Sequence, residues 1–137
     1  AAQHVFINEL IYISYSLRDV EIAGPNGVNL EEYRMVFYDS SSGTEYPWRL
    51  NNTFANKSGA FGFSFGYFTS RTSPSLLEPN GIALVSPGGV VQQFLSFGRT
   101  FQAVGGPAAG LTSTDISQGP ETPTPHITYY SLVGRGT

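Results

Sequence analysis

The amino-acid sequence predicts an all-β fold, a sandwich of two packed and mainly antiparallel sheets. Three observations carry that expectation. Residues 82–85 and 90–97 are two β-rich runs flanking Ser86-Pro87-Gly88-Gly89, where proline presets φ for a turn and paired glycines supply positive φ for a tight reversal. In the second run Val91, Gln93, Leu95 and Phe97 point one way, and Val90, Gln92, Phe94 and Ser96 the other. Apolar groups stand on both faces, so this hairpin reads as interior and covered on two sides. Composition agrees: ten Phe, eight Tyr, sixteen Gly and nine Pro in 137 residues suit many short strands joined by turns.

The length suits one domain spanning residues 1–137, able to bury roughly 65–70% of its unfolded surface. Charged residues are only 12% of the chain, against about 25% in an ordinary soluble domain. A weakly charged surface repels its own copies poorly, which permits self-association. Net charge is −3, and the seven Lys and Arg are scattered, so no electrostatic footprint for nucleic acid is present. With no cysteine, disulfides, thiolate metal sites and cysteine nucleophiles are excluded. No apolar run approaches the ~20 residues of a helical membrane span. The start Ala1-Ala2-Gln3 is what signal cleavage after a small residue would leave, and predicts a secreted or cell-surface protein.

Taken in order, residues 4–10 alternate as a strand, with Val5, Ile7 and Glu9 opposite Phe6, Asn8 and Leu10. The alternation runs on through residues 11–17, where Ile11, Ile13, Tyr15 and Leu17 share one side. This reads either as two consecutive core strands with a bulge or as an edge offered to another chain. Residues 18–24 form a strand with Val20 and Ile22 inward and Asp19 and Glu21 outward. Pro25-Asn26-Gly27 turns the chain. Residues 30–39 open with a turn and become strand, Tyr33, Met35 and Phe37 opposing Arg34, Val36 and Tyr38. A hairpin loop follows at residues 40–43, and residues 45–50 resume the sheet with Pro47 at an edge or bulge.

Residues 51–58 read as a polar loop with two glycosylation sequons, Asn51-Asn52-Thr53 and Asn56-Lys57-Ser58. In residues 59–68, Phe61, Phe63, Phe65 and Tyr67 make one face a wall of rings, for which core packing is the first reading and a stacking platform the second. Residues 99–104 read as a short strand, and residues 105–116 as a small-residue loop. Residues 117–125 form a Pro/Thr-rich arm that cannot pair as ladder. Residues 126–134 make the terminal strand.

Several stretches together resemble the lamin-tail domain in its bacterial, extracellular form. They are Val5-Phe6-Ile7-Asn8-Glu9-Leu10, Val20-Glu21-Ile22-Ala23-Gly24-Pro25, the 80–85 run with Val91-Gln92-Gln93-Phe94-Leu95-Ser96, and Gly106-Pro107-Ala108-Ala109-Gly110-Leu111-Thr112-Ser113-Thr114-Asp115-Ile116. The resemblance implies an immunoglobulin-like β-sandwich and a non-catalytic module, of the kind attached in bacteria to secreted nucleases, phosphatases and surface proteins. Where that family commonly has a polar Tyr-Asp-Asn loop and an acidic Gly-Glu-Phe, this chain has Ile11-Tyr12-Ile13-Ser14-Tyr15-Ser16-Leu17. An apolar segment there favours burial, within the domain or against a neighbour.

Candidate chemistry is sparse. His4 and His126 stand near opposite ends with no metal-ligand spacing, and no nucleophile elbow presents a serine to either. Glu31 and Glu32 are adjacent in a turn and point apart, unlike a converging carboxylate pair. Asp19, Glu21 and Asp39 lack the loop pattern of a calcium site. The sequence therefore predicts no enzyme, no cofactor and no metal. It predicts a structural module that associates with its own copies as a fibre or surface subunit, through Ile11, Ile13, Tyr15 and Leu17. A covalent glycan on Asn51 and Asn56 is a further expectation. The competing reading is an accessory sugar- or protein-binding module of a secreted hydrolase or nuclease.

Overall fold

The computed structural model describes residues 5–13, 16–45, 55–58, 63–69, 81–116 and 127–131. In chain order the strands are β1 (Phe6–Ile13), β2 (Ser16–Pro25), β3 (Arg34–Asp39), β4 (Thr44–Glu45), β5 (Ala55–Ser58), β6 (Phe63–Thr69), β7 (Gly81–Val85), β8 (Val91–Ser96), β9 (Thr114–Asp115) and β10 (Ile127–Ser131). A single 3₁₀ turn at Leu30–Glu32 precedes β3, with the Asn29 side chain accepting from the Glu31 amide at its start. The strands form two five-stranded sheets, β10-β1-β2-β6-β5 and β4-β3-β7-β8-β9. All the strand pairings are antiparallel except β8–β9, which is parallel. The fold is all-β, as the sequence predicts.

One apolar layer joins the sheets. Val5, Ile7, Val20 and Ile22 come to it from the first sheet, and Met35, Phe37, Ile82, Leu84 and Leu95 from the second, with Leu30 between. The alternation that puts Val20 and Ile22 inward is thus realised, and each fully buried aliphatic side chain contributes about 1.5–3 kcal/mol. A second cluster covers the other face of the second sheet: Val36, Tyr38, Ala83, Val85 and Phe94 lie under Phe101, Ala103 and Ala108. That double cover is why all five residues of β7 are buried.

The reversal between β7 and β8 uses one glycine of its pair. The Gly89 amide donates to the Ser86 carbonyl, and Gly89 alone of the two has positive φ, at 84°. This is a turn finished by a left-handed residue.

Four sequence expectations need correction. Residues 11–17 divide between β1 and β2, in keeping with the reading as two consecutive strands, but Ile11, Ile13 and Leu17 do not share one side, because Ile13 stands opposite Ser16 and Tyr12 opposite Leu17. The chain reverses between 13 and 16, where no Gly, Pro or Asn announces a turn. Residues 55–58 are a strand pairing with β6, not part of a polar loop; a ladder needs only main-chain groups, which polar side chains do not remove. Residues 99–104 are not a strand and hold only an isolated bridge between Gln102 and Thr112. Thr114 and Asp115, expected in a loop, join β8 as a parallel strand.

The loop from 99 to 113 is pinned by buried polar groups instead. The Tyr38 hydroxyl donates to the Gly105 carbonyl at 2.9 Å and accepts from the Ala108 amide at 3.0 Å. The Ser113 hydroxyl accepts from the Phe101 amide and donates to Ser96 Oγ at 2.7 Å. The Phe101 ring packs at an edge against Phe94.

Candidate functional site

The site built from the predicted association residues is the β10–β1 edge. β1 pairs with β2 on one side and with β10 on the other, Ile11 opposite Tyr129 and Ile13 opposite Ile127. The reading of this stretch as a ready edge is corrected: both main-chain flanks of β1 are filled, and among the described residues the sheet order ends on that side at β10. Leu17 belongs to β2, opposite Tyr12. Tyr15 lies outside the described residues.

Among the described residues the β10 ladder reaches from Ile13 to Glu9 of β1. The Ile7 amide donates to the Gln93 side-chain oxygen at 2.6 Å. Gln93 belongs to β8 in the other sheet, so this bond ties the two sheets together. A bulge in the β1–β2 pairing lies between Ile7 and Glu9. Gln93 was not singled out from sequence. The signal was present, since it is the one polar residue in the Val91, Gln93, Leu95, Phe97 alternation.

The aromatic row takes an unexpected register. Along β6, Ser64, Gly66 and Phe68 stand opposite Gly24, Ile22 and Val20, while Phe63, Phe65 and Tyr67 stand opposite Pro25, Ala23 and Glu21. Ile22 and Val20 are core residues, so the register positions of Phe63, Phe65 and Tyr67 share the sheet face of Glu21. Phe61 and Trp48 lie outside the described residues.

The remaining candidates do not converge. Glu21 Oε1 accepts from the Asn8 side chain at 2.7 Å. Asp39 accepts from the Ser41 amide at 2.8 Å, and these Ser41 contacts hold its carboxyl below the usual aspartate value. Glu31 and Glu32 are exposed. Among the described residues no three His, Asp or Glu side chains gather as a metal site, and no helix is long and apolar enough to cross a membrane. Asn56 lies in β5 opposite Gly66. His4, His126, Asn51 and the Pro/Thr-rich arm at 117–125 lie outside the described residues.

Compared with known proteins, the chain matches no family model, no curated protein and no solved structure. Its function has to be argued from the β10–β1 edge and the faces beside it.

Proposed function

We propose that this chain is a non-catalytic, extracellular structural module with an immunoglobulin-like, lamin-tail-type sandwich, and that its copies associate by exchanging β10. One observation carries the reading: among the described residues β10 is the last strand of the first sheet's order, and its five register pairs are all with β1. A segment of ten residues, rich in Pro and Thr, separates it from Ile116. A strand delivered by such an arm can complete a neighbour's sheet through the same main-chain bonds it makes at home, a head-to-tail contact that propagates unless it closes. Low surface charge leaves little repulsion against it. Glycans on Asn51 and Asn56 would supply the polarity that charged residues do not.

The absence of cysteine makes the test clean. An Ile11→Cys chain and a Tyr129→Cys chain are mixed, unfolded, refolded together at high concentration and oxidised. Exchange yields a disulfide-linked pair of chains, because these positions face each other across the ladder. Recovery of monomers alone, with sedimentation showing a single small species, defeats the proposal.

The alternative, an accessory module for sugar or protein, has its own support in the register of Phe63, Phe65 and Tyr67. Aromatic residues at every second position of a strand are the pattern of a stacking surface for a sugar. Glycan-array binding lost in Phe63→Ala and Phe65→Ala at unchanged melting temperature would favour it. No binding by the parent chain removes it.

A further inference from the structure

The chain contains two Asn-Gly steps, Asn26-Gly27 and Asn80-Gly81. At such a step the glycine main-chain nitrogen can attack the asparagine side-chain carbonyl. A nitrogen–carbon bond forms, the side-chain nitrogen leaves as ammonia, and a five-membered succinimide results. Water then opens the ring at either carbonyl, giving aspartate or an isoaspartyl link through the side chain. Water is the only co-reactant. Glycine favours the reaction because it has no Cβ to obstruct rotation of its peptide, and thermolabile asparagine is a recognised weak point of proteins.

In sequence the two steps are equivalent; in the fold their glycines are opposites. Asn26 and Gly27 are both exposed at the turn that leaves β2, which is closed by a 3.3 Å bond from the Val28 amide to the Pro25 carbonyl. Gly27 has φ of 94°, and nothing lies within 4 Å of where a Cβ would stand. Gly81 is buried and opens β7, with Tyr38 of β3 on one side and Ser96 of β8 on the other. The space above its Cα is filled by the Phe101 ring, with Tyr38 Cβ 3.3 Å away. Swinging the Gly81 nitrogen toward a side chain would break a central ladder and displace a core ring.

We infer that Asn26-Gly27 is a site of spontaneous modification, converting to aspartyl and isoaspartyl forms, and that the burial of Gly81 slows the same reaction at the second step. Conversion takes the net charge from −3 to −4, one carboxylate replacing one amide. The isoaspartyl form also inserts a main-chain carbon just before Asn29, whose side chain caps the 3₁₀ turn. This inference is independent of how the chain associates.

The test is ageing of the intact chain at mildly alkaline pH, followed by trypsin digestion and mass spectrometry. Cleavage at Arg and Lys separates residues 19–34 from residues 72–99, so the two steps are read on different peptides. The folded chain should gain about 1 Da at Asn26 at least about tenfold faster than at Asn80, because reaching Gly81 requires opening of the core. In urea the two rates should converge. Equal rates in the folded chain, or an Asn26 peptide that stays unmodified while the Asn80 peptide converts, overturn the inference.

Discussion

Tyr38 shows how much of this fold rests on one hydroxyl. Its ring is fully buried, and its oxygen closes two hydrogen bonds to a loop about seventy residues further along. Tyr38→Phe keeps the ring but leaves a carbonyl and an amide unpaired, and should cost about 1–3 kcal/mol in urea unfolding. Burial also pushes the phenol above its ordinary value, against the opposing hydrogen bond from Ala108. A raised folded value means that the stabilisation is complete below the unfolded tyrosine value of about 10 and is lost as pH climbs toward the folded one. Alkaline unfolding followed at the tyrosine absorbance checks this, and Tyr38→Phe should flatten the profile. Gly81 is the complementary case, a residue defined by what it lacks. Gly81→Ala drives a methyl into the Phe101 ring and should destabilise by about 1–3 kcal/mol through overpacking; a melting temperature equal to the parent's would contradict it.

At the scale of elements, β1 is organised by two different partners along its length. From Glu9 to Ile13 a second strand pairs with it, while its Ile7 amide bonds a side chain from the opposite sheet. Gln93→Leu removes that acceptor beside a fully buried residue and should cost about 1–3 kcal/mol, since the stranded amide has no water to turn to. Amide hydrogen exchange at Ile7 reads the effect directly, and unchanged protection there would show that Gln93 is dispensable. The loop from 99 to 113 makes a related point, because Phe101 and the Ser96–Ser113 pair hold it without a ladder.

For the whole molecule, the proposed exchange predicts a dependence on history. Chains refolded at high concentration should contain linked species that survive dilution, because returning β10 home requires breaking five register pairs and clearing part of the sheet. Chains refolded dilute should stay monomeric. Added salt should change the ratio little, since ladder bonds join main chains and the charges are few. Size-exclusion chromatography of the two preparations, with and without salt, measures all three expectations. A distribution that re-equilibrates at once on dilution would point to a surface contact instead.

Side-chain chemistry read locally sufficed for the faces of β2, β3 and β7, and it stopped there. Val20 and Ile22 inward, Met35 and Phe37 against Val36 and Tyr38, and a β7 buried on both sides follow from alternation, which is a property of each strand alone; Val91 breaks it, packing with the Phe94 cluster rather than with Leu95 past an irregularity in the β7–β8 pairing. Only the tertiary structure decided where the chain reverses after Ile13, that polar residues 55–58 pair as β5, that β9 runs parallel to β8, and which face carries Phe63, Phe65 and Tyr67. Those are matters of register between segments far apart in sequence. Alternation orients the side chains of one strand but does not say which distant segment it will meet, since the ladder itself is made of main-chain groups that every residue shares.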